Sequence, residues 1–107
     1  MKLNAQRCKP IPKGTPALTD KVSKALLNAV PGWKIKSKSI SRSFHFESYW
    51  AGWGFVNALA WVAQAEDHHP EIVLGHKEVL VTFSTHSVKG LSHNDFICAS
   101  KANSLIS

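Results

Sequence analysis

The fold is decided by residues 39–46, SISRSFHF, in which apolar and polar side chains alternate. Successive side chains of a β-strand point to opposite faces, so this alternation predicts a strand with one face against a core. The core face would carry Ile40, Arg42, Phe44 and Phe46, and the polar face would carry Ser41, Ser43 and a solvated His45. Residues 33–36 precede a polar turn at 37–39, so the segment as a whole predicts a β-hairpin.

A second hairpin is predicted further along the chain. Residues 70–74 and 78–84 have strand-like composition and are separated by Gly75, His76 and Lys77. In the later strand both sets of alternating side chains contain apolar residues. We therefore expect both faces of the sheet to be partly covered.

Three helices flank these hairpins. The first is expected to begin near Thr19, a suitable N-cap, and to end at Pro31-Gly32. The main helix, residues 48–65, carries apolar side chains nearly all round, which predicts burial on more than one side. In so small a domain the second side would be covered by another subunit, which predicts an oligomer.

The last helix is expected to begin at Ser92. Ser92 and Asp95 have the spacing of a capping box, which gives Asp95 a structural role whatever else it does. Beyond them, several apolar residues offer core contacts: Phe96, Ile97, Ala99, Leu105 and Ile106.

These elements predict a single α+β domain in the order α-β-β-α-β-β-α. Its four strands would form one antiparallel sheet with the helices packed on one face. Residues 1–17 contain three prolines and little apolar periodicity, so we expect an irregular or mobile N-terminal arm before a domain spanning 18–107.

Composition limits the classes of partner. The chain has 107 residues and a net charge of +6, but its basic residues are scattered and form no dense strip, so a nucleic-acid partner is not expected. No apolar run approaches the roughly 20 residues of a membrane span, and the N-terminus lacks the apolar region of a secretory signal. We expect a cytoplasmic protein in which Cys8 and Cys98 are free thiols without a disulfide.

A histidine cluster marks the candidate site. Five of the six histidines fall between His68 and His93, and Glu66 and Asp67 precede the adjacent pair His68-His69. Histidine titrates near neutral pH, so the cluster is compatible with proton transfer, with a metal site or with a solvated surface loop. Adjacent histidines in extended chain point apart, which disfavours shared zinc ligation. The zincin helix, the phosphate loop and the G-x-S-x-G elbow are all missing from the sequence.

The motifs EDHHP at 66–70, STH at 84–86, Gly90-Leu91 and Asp95 together resemble the signature of pterin-4a-carbinolamine dehydratases. The resemblance extends upstream to Gly32-Trp33 and covers residues 18–103. It implies the fold predicted above, a homodimer or homotetramer, and a hydro-lyase that removes water from 4a-hydroxytetrahydrobiopterin to give quinonoid dihydropterin. It implies no metal and no organic cofactor.

The resemblance also assigns residues. His68 and His86 would be the acid–base pair, His69 would hold and polarise the pterin, and Asp95 would orient a histidine. Pro70 would fix the loop, and the substrate-binding set would be His69, Pro70, Gln64, Glu66 and Thr85.

Gln64 departs from the family pattern, which often has a glutamate there; Glu66 is the candidate to compensate. Family resemblance further implies a functional link to an aromatic amino-acid hydroxylase. The alternative function is a protein-binding module, since some members bind a homeodomain transcription factor or assist protein assembly.

Overall fold

The computed structural model describes residues 2–106 and confirms the predicted order of elements. Two short 3-10 turns, Leu3–Ala5 and His86–Val88, are additional. The main elements are α1 (Asp20–Leu27), β1 (Lys34–Lys36), β2 (Ser39–His45), α2 (Tyr49–Glu66), β3 (Glu71–Leu74), β4 (Glu78–Phe83) and α3 (His93–Ser104).

All strands pair antiparallel in the order β1-β2-β4-β3. The central register sets Ile40 opposite Phe83 and Phe44 opposite Val79, and these four side chains are buried beneath the helices. The other face is open: Val73 is 62% exposed and Leu80 38% exposed. The expected covering of both faces is therefore wrong within one chain, because the helices pack on the same face.

Aromatic side chains form the centre of the core. The ring of Trp33 lies 6.0 Å from Phe44 and 5.8 Å from Phe83, and Phe44 lies 4.5 Å from Phe55 of α2. Burying rings of this size supplies a large share of the apolar area removed from water. The strand alternation in residues 39–46 thus places its apolar face where it was predicted.

Arg42 is used inside the molecule. Its guanidinium donates to Asn103 Oδ1 at 2.7 Å, and Trp33 Nε1 donates to the same oxygen at 2.8 Å. Gly32 has φ +88°, and a Cβ there would meet the Arg42 side chain at 2.7 Å, so this turn requires glycine. These hydrogen bonds join the hairpin to α3, and the Arg42 guanidinium has its partners within the chain.

α2 buries a single stripe. Ser48 Oγ accepts from the Ala51 N–H at 3.2 Å and caps the helix, whose buried residues are Gly52, Phe55, Leu59 and Ala63. On other sides of the helix Trp50 is 80% exposed and Trp61 79% exposed. Burial on more than one side is therefore not achieved within one chain, because the sheet reaches only this stripe.

The other helices begin as predicted. Thr19 Oγ1 accepts from the Val22 N–H at 3.2 Å, and Ser92 is the N-cap of α3. The expected core contacts of Leu105 and Ile106 are wrong, since both are exposed. The reason is that α3 ends at Ser104, and the chain beyond it no longer follows the buried side of the helix.

The N-terminal arm is irregular but docked. The Arg7 guanidinium pairs with Glu66 at 2.7 Å, and the backbone N–H groups of Cys8 and Lys9 donate to Glu66 Oε1 and Asn94 Oδ1 at 2.7 and 3.1 Å. These contacts join the arm to α2 and α3. Within residues 2–106 no helix is long and apolar enough to cross a membrane.

Candidate active site

The turn at the end of α2 sets the position of His68 and His69. Asp67 adopts the left-handed conformation at φ 51°, and its N–H donates to the Gln64 carbonyl at 3.3 Å. The next N–H, of His68, donates to the Ala63 carbonyl at 3.1 Å. These two bonds form the Schellman pattern that ends many helices, with an aspartate at the position where glycine is usual. The turn reverses the chain and brings His68 back towards α3.

His68 forms a buried pair with Asp95. The His68 Nε2 atom lies 2.6 Å from Asp95 Oδ1; the side chains are 11% and 0% exposed, respectively. The imidazole also stacks on the Phe83 ring, with 5.8 Å between centroids and 8° between planes. An ionised Asp95 carboxylate can only accept, and beside it a neutral His68 imidazole places its proton on Nε2 and its lone pair on Nδ1. Among residues 2–106, Nδ1 has no hydrogen-bond partner.

The second oxygen of Asp95 holds the site together. Asp95 Oδ2 accepts from the Thr85 hydroxyl at 2.7 Å and from the Ser92 N–H at 2.9 Å. Thr85 has one proton to give, so the Ser92 hydroxyl, 2.7 Å away, donates to it. The predicted capping box is confirmed, and the same carboxylate contacts His68. With three donors around it, this buried carboxyl group is well satisfied.

A cavity of about 380 Å³ opens beside His68. Residues 8–11 of the arm form part of its wall, residues 65–68 at the end of α2 form another part, and Thr85, Ser87 and Asn94 complete it. The arm residues were missed by reasoning from the sequence, since residues 1–17 contain no motif. A cavity of this volume is within the usual range for a small-molecule site.

Glu66 anchors the arm at this cavity. Its Oε1 accepts from the Cys8 N–H and its Oε2 pairs with Arg7, both at 2.7 Å. Burial by itself raises the pKa of Glu66, but the Cys8 N–H and the charges of Lys101 and Arg7 outweigh it and hold the pKa below its ordinary value. The predicted substrate-binding residue lines the cavity, yet both of its oxygens already have partners.

The remaining predicted site residues lie apart from this cavity. His86 is exposed and lines a neighbouring cavity of about 330 Å³ together with lysines of the β1–β2 turn; Thr85 lines both cavities. His69 is exposed, and its Nε2 lies 3.4 Å from Gln64 Oε1. Pro70, half-buried, follows directly. The structure thus brings together His68, Thr85, Asp95 and Glu66, with His86 next to them beyond Thr85.

The other histidines show no comparable arrangement. His45 is exposed on β2, 3.5 Å from Glu78, as predicted for the polar face. His76 lies in the β3–β4 turn near Tyr49. In the part of the chain that the structure describes, no group of three or more His, Cys, Asp or Glu side chains is arranged to hold a metal ion.

The fold and the site together define a class: a small α+β domain with a carboxylate-oriented histidine at a cavity, suited to moving protons on a bound small molecule. Comparison with known proteins gives the family. The sequence model of the family described as "Pterin 4 alpha carbinolamine dehydratase" matches residues 16–105, and the chain belongs to this family.

Relatives agree over most of the chain. A protein of Nitrosomonas eutropha named "Putative pterin-4-alpha-carbinolamine dehydratase" is 42% identical over 102 residues, which are 94% of this chain and 90% of that protein. A relative of the same name from Xanthomonas campestris is 51% identical over 82 residues, 75% of this chain and 70% of its own. Among solved structures, a transcriptional coactivator/pterin dehydratase from Brucella melitensis superposes with a TM-score of 0.82 at 33% identity, covering 85% of this chain and 99% of that one.

Proposed function

We propose that this protein is a hydro-lyase that dehydrates 4a-hydroxytetrahydropterins, with 4a-hydroxytetrahydrobiopterin as the substrate and quinonoid dihydropterin as the product. The observation that carries the proposal is the 2.6 Å contact between His68 and the buried Asp95 at the edge of a cavity, in a chain of this family. The names of the relatives support the same substrate class.

The elimination needs two proton movements, and the proposed site supplies groups for both. A proton leaves N5 of the pterin, the C4a–O bond breaks, and a proton joins the departing hydroxyl to make water. Asp95 keeps His68 in the tautomer that leaves the Nδ1 lone pair free to exchange a proton with substrate. His86 would exchange the other proton. Two imidazoles titrating near neutral pH are suited to such a pair of transfers.

Binding would fall to the residues around these histidines. His69 would hold and polarise the pterin, Thr85 lies between the two cavities, and Pro70 would limit the freedom of the loop. Glu66 would contribute to substrate binding indirectly, by anchoring the arm that forms part of the cavity wall. Gln64 offers an uncharged amide where the family often has a glutamate, so it would bind a pterin edge without adding charge.

In the cell, the substrate would come from an aromatic amino-acid hydroxylase, and the enzyme would serve tetrahydrobiopterin recycling in the cytoplasm. The chemistry as written requires neither a metal nor an organic cofactor. We further propose a homodimer or homotetramer, because Trp50 and Trp61 leave large apolar surfaces on α2 that the chain does not cover.

The same two tryptophans favour one second candidate, a protein-binding module. Side chains of this kind are enriched in protein interfaces, and the Brucella melitensis structure is described as a coactivator as well as a dehydratase. In this alternative, the histidines would be inherited without significant catalysis.

A stopped-flow assay separates the two functions. The purified protein is mixed with freshly generated 4a-hydroxytetrahydropterin, and the formation of quinonoid dihydropterin is followed against the spontaneous rate. Catalysed dehydration that is proportional to protein concentration supports the enzyme. Formation at the spontaneous rate, by protein with an intact fold, would leave the binding module as the better explanation.

A further inference from the structure

The two cysteines meet at the wall of the cavity. Cys8 Sγ lies 3.4 Å from Cys98 Sγ, although the residues are 90 positions apart. Cys98 is fully buried in α3, whereas Cys8 is half-buried and lines the cavity beside His68. Free thiols were predicted for both, but their contact was not expected because Cys8 was placed in a mobile arm.

We propose that Cys8 and Cys98 are an oxidation site, and that hydroperoxides convert the pair into an intramolecular disulfide that locks the arm onto α3. Cys8 lies before residue 16, where the family match begins, whereas Cys98 lies within the matched segment. The sulfurs must approach by only about 1.4 Å to reach the roughly 2.05 Å of a disulfide bond. The irregular backbone of the arm can make this small movement.

The two sulfurs have different positions in the reaction. Cys8 is the thiol that solutes in the cavity can reach, so the peroxide reacts with it first: its sulfur takes one oxygen, the O–O bond breaks, and water leaves. Cys98 sulfur then attacks the sulfenic sulfur, the S–O bond breaks, and the Cys98 proton leaves with the oxygen as a second water. Overall, two thiols and one hydrogen peroxide give one disulfide and two waters.

Because Cys98 is buried, its sulfur reacts after that of Cys8. Hydrogen bonding to Cys8 and removal from water raise the pKa of the Cys98 thiol, which slows its reaction with the oxidant. In the second step its proton passes to the departing sulfenic oxygen as the disulfide forms. Once Cys8 is a sulfenic acid, the reacting sulfur is already adjacent, so no diffusion step is needed. Closeness therefore makes the linked pair the expected product, ahead of further oxidation of Cys8.

The bond would hold a segment that already faces the cavity. Asn94 of α3 accepts from the Lys9 N–H at 3.1 Å and donates to the Lys9 carbonyl at 2.8 Å, next to the thiol pair. These are ordinary hydrogen bonds and can open, whereas a disulfide cannot open without reduction. Oxidation would thereby fix the arm wall of the cavity, and a thiol reductant would release it.

The test uses the full chain, reduced with dithiothreitol, desalted and treated with a tenfold excess of hydrogen peroxide. Non-reducing mass spectrometry should show the intact mass fall by about 2 Da and a peptide pair linked through Cys8 and Cys98. Amide protection of residues 8–9 in hydrogen exchange should rise at least about tenfold and return after reduction.

Two variants complete the design. Cys8→Ser should leave Cys98 reduced under the same treatment, because the buried thiol has no partner. Cys98→Ala, chosen because alanine suits the apolar site, should let Cys8 gain oxygen as sulfenic and sulfinic acid. The proposal is overturned if the wild-type protein gains oxygen at Cys8 without the linked peptide, forms only intermolecular disulfides, or links the pair without any change in protection of the arm.

Discussion

Replacing Asp95 with asparagine separates a catalytic role from a purely structural one. Asp95 Oδ2 accepts from Thr85 and Ser92, and Oδ1 accepts from His68. Asparagine has one acceptor oxygen and one donor amide. Its oxygen can keep the Thr85 and Ser92 bonds only if its NH₂ group faces His68. Nε2 of His68 must then accept, and the imidazole proton moves to Nδ1.

That change removes the lone pair at Nδ1, on which the proposed chemistry depends. We expect Asp95→Asn to lower kcat by about 10²- to 10⁴-fold, the range that general acid–base catalysis contributes. Stability should fall by only about 1–3 kcal/mol, since the charge-assisted hydrogen bonds to a fully buried carboxylate are replaced by neutral ones. A typical domain keeps its fold under a loss of this size.

Three measurements read the outcome: stopped-flow dehydration, urea unfolding, and the ¹⁵N shifts of the His68 ring, which report the tautomer. Asp20→Asn is the matched control, because Asp20 is also an acid in the first turn of a helix but is exposed and does not line the cavity beside His68. It should leave kcat unchanged. If Asp95→Asn loses stability but keeps the wild-type kcat, Asp95 only caps α3 and the reasoning about His68 is wrong.

His86→Ala should lower kcat by about 10²- to 10⁴-fold with a smaller effect on KM; unaltered turnover would assign the second proton transfer to another group. For the assembly, we expect the wild-type protein to sediment as a dimer or tetramer at micromolar concentration, and Trp50→Ser or Trp61→Ser to shift it towards the monomer. A monomer mass for the wild type removes that argument. Because the pKa of Glu66 is lowered in the folded state, its contribution is full above its unfolded pKa and is lost as pH falls through the folded pKa. Protection of the Cys8 amide, corrected for intrinsic exchange, should therefore fall only on acidification below the ordinary glutamate pKa of 4.5, and Glu66→Gln should abolish that dependence. Constant protection of the wild-type amide down to pH 2 would show that the carboxylate does not hold the arm.

Much of the fold was predictable because its signals are local. The alternation in residues 39–46 needs only neighbouring side chains to predict a strand, and Ser48 and Ser92 identify helix starts by their own chemistry. Covering of the second sheet face and of Trp50 and Trp61 could not be judged in this way, because periodicity shows that a surface is apolar but not what covers it.

The candidate site was predictable only in part. The density of histidines marked the site, and the roles of those histidines and of Asp95 came from a resemblance that gives positions along the chain. The structure adds the 2.6 Å contact between His68 and Asp95. Docking of the arm on Glu66 depends on single side chains meeting backbone groups 58 positions away, which leaves no periodic pattern. For the same reason the contact between Cys8 and Cys98 could not be foreseen.

The most direct test of the central claim is the dehydration rate of His68→Ala measured beside His45→Ala. His45 is a second histidine near a carboxylate, but it is exposed on the polar face of β2 and lines neither the cavity beside His68 nor the one beside His86. With circular dichroism showing both variants folded, we expect His68→Ala to lose about 10²- to 10⁴-fold in kcat and His45→Ala to match the wild type. A folded His68→Ala protein that dehydrates the pterin at the wild-type rate would contradict the account.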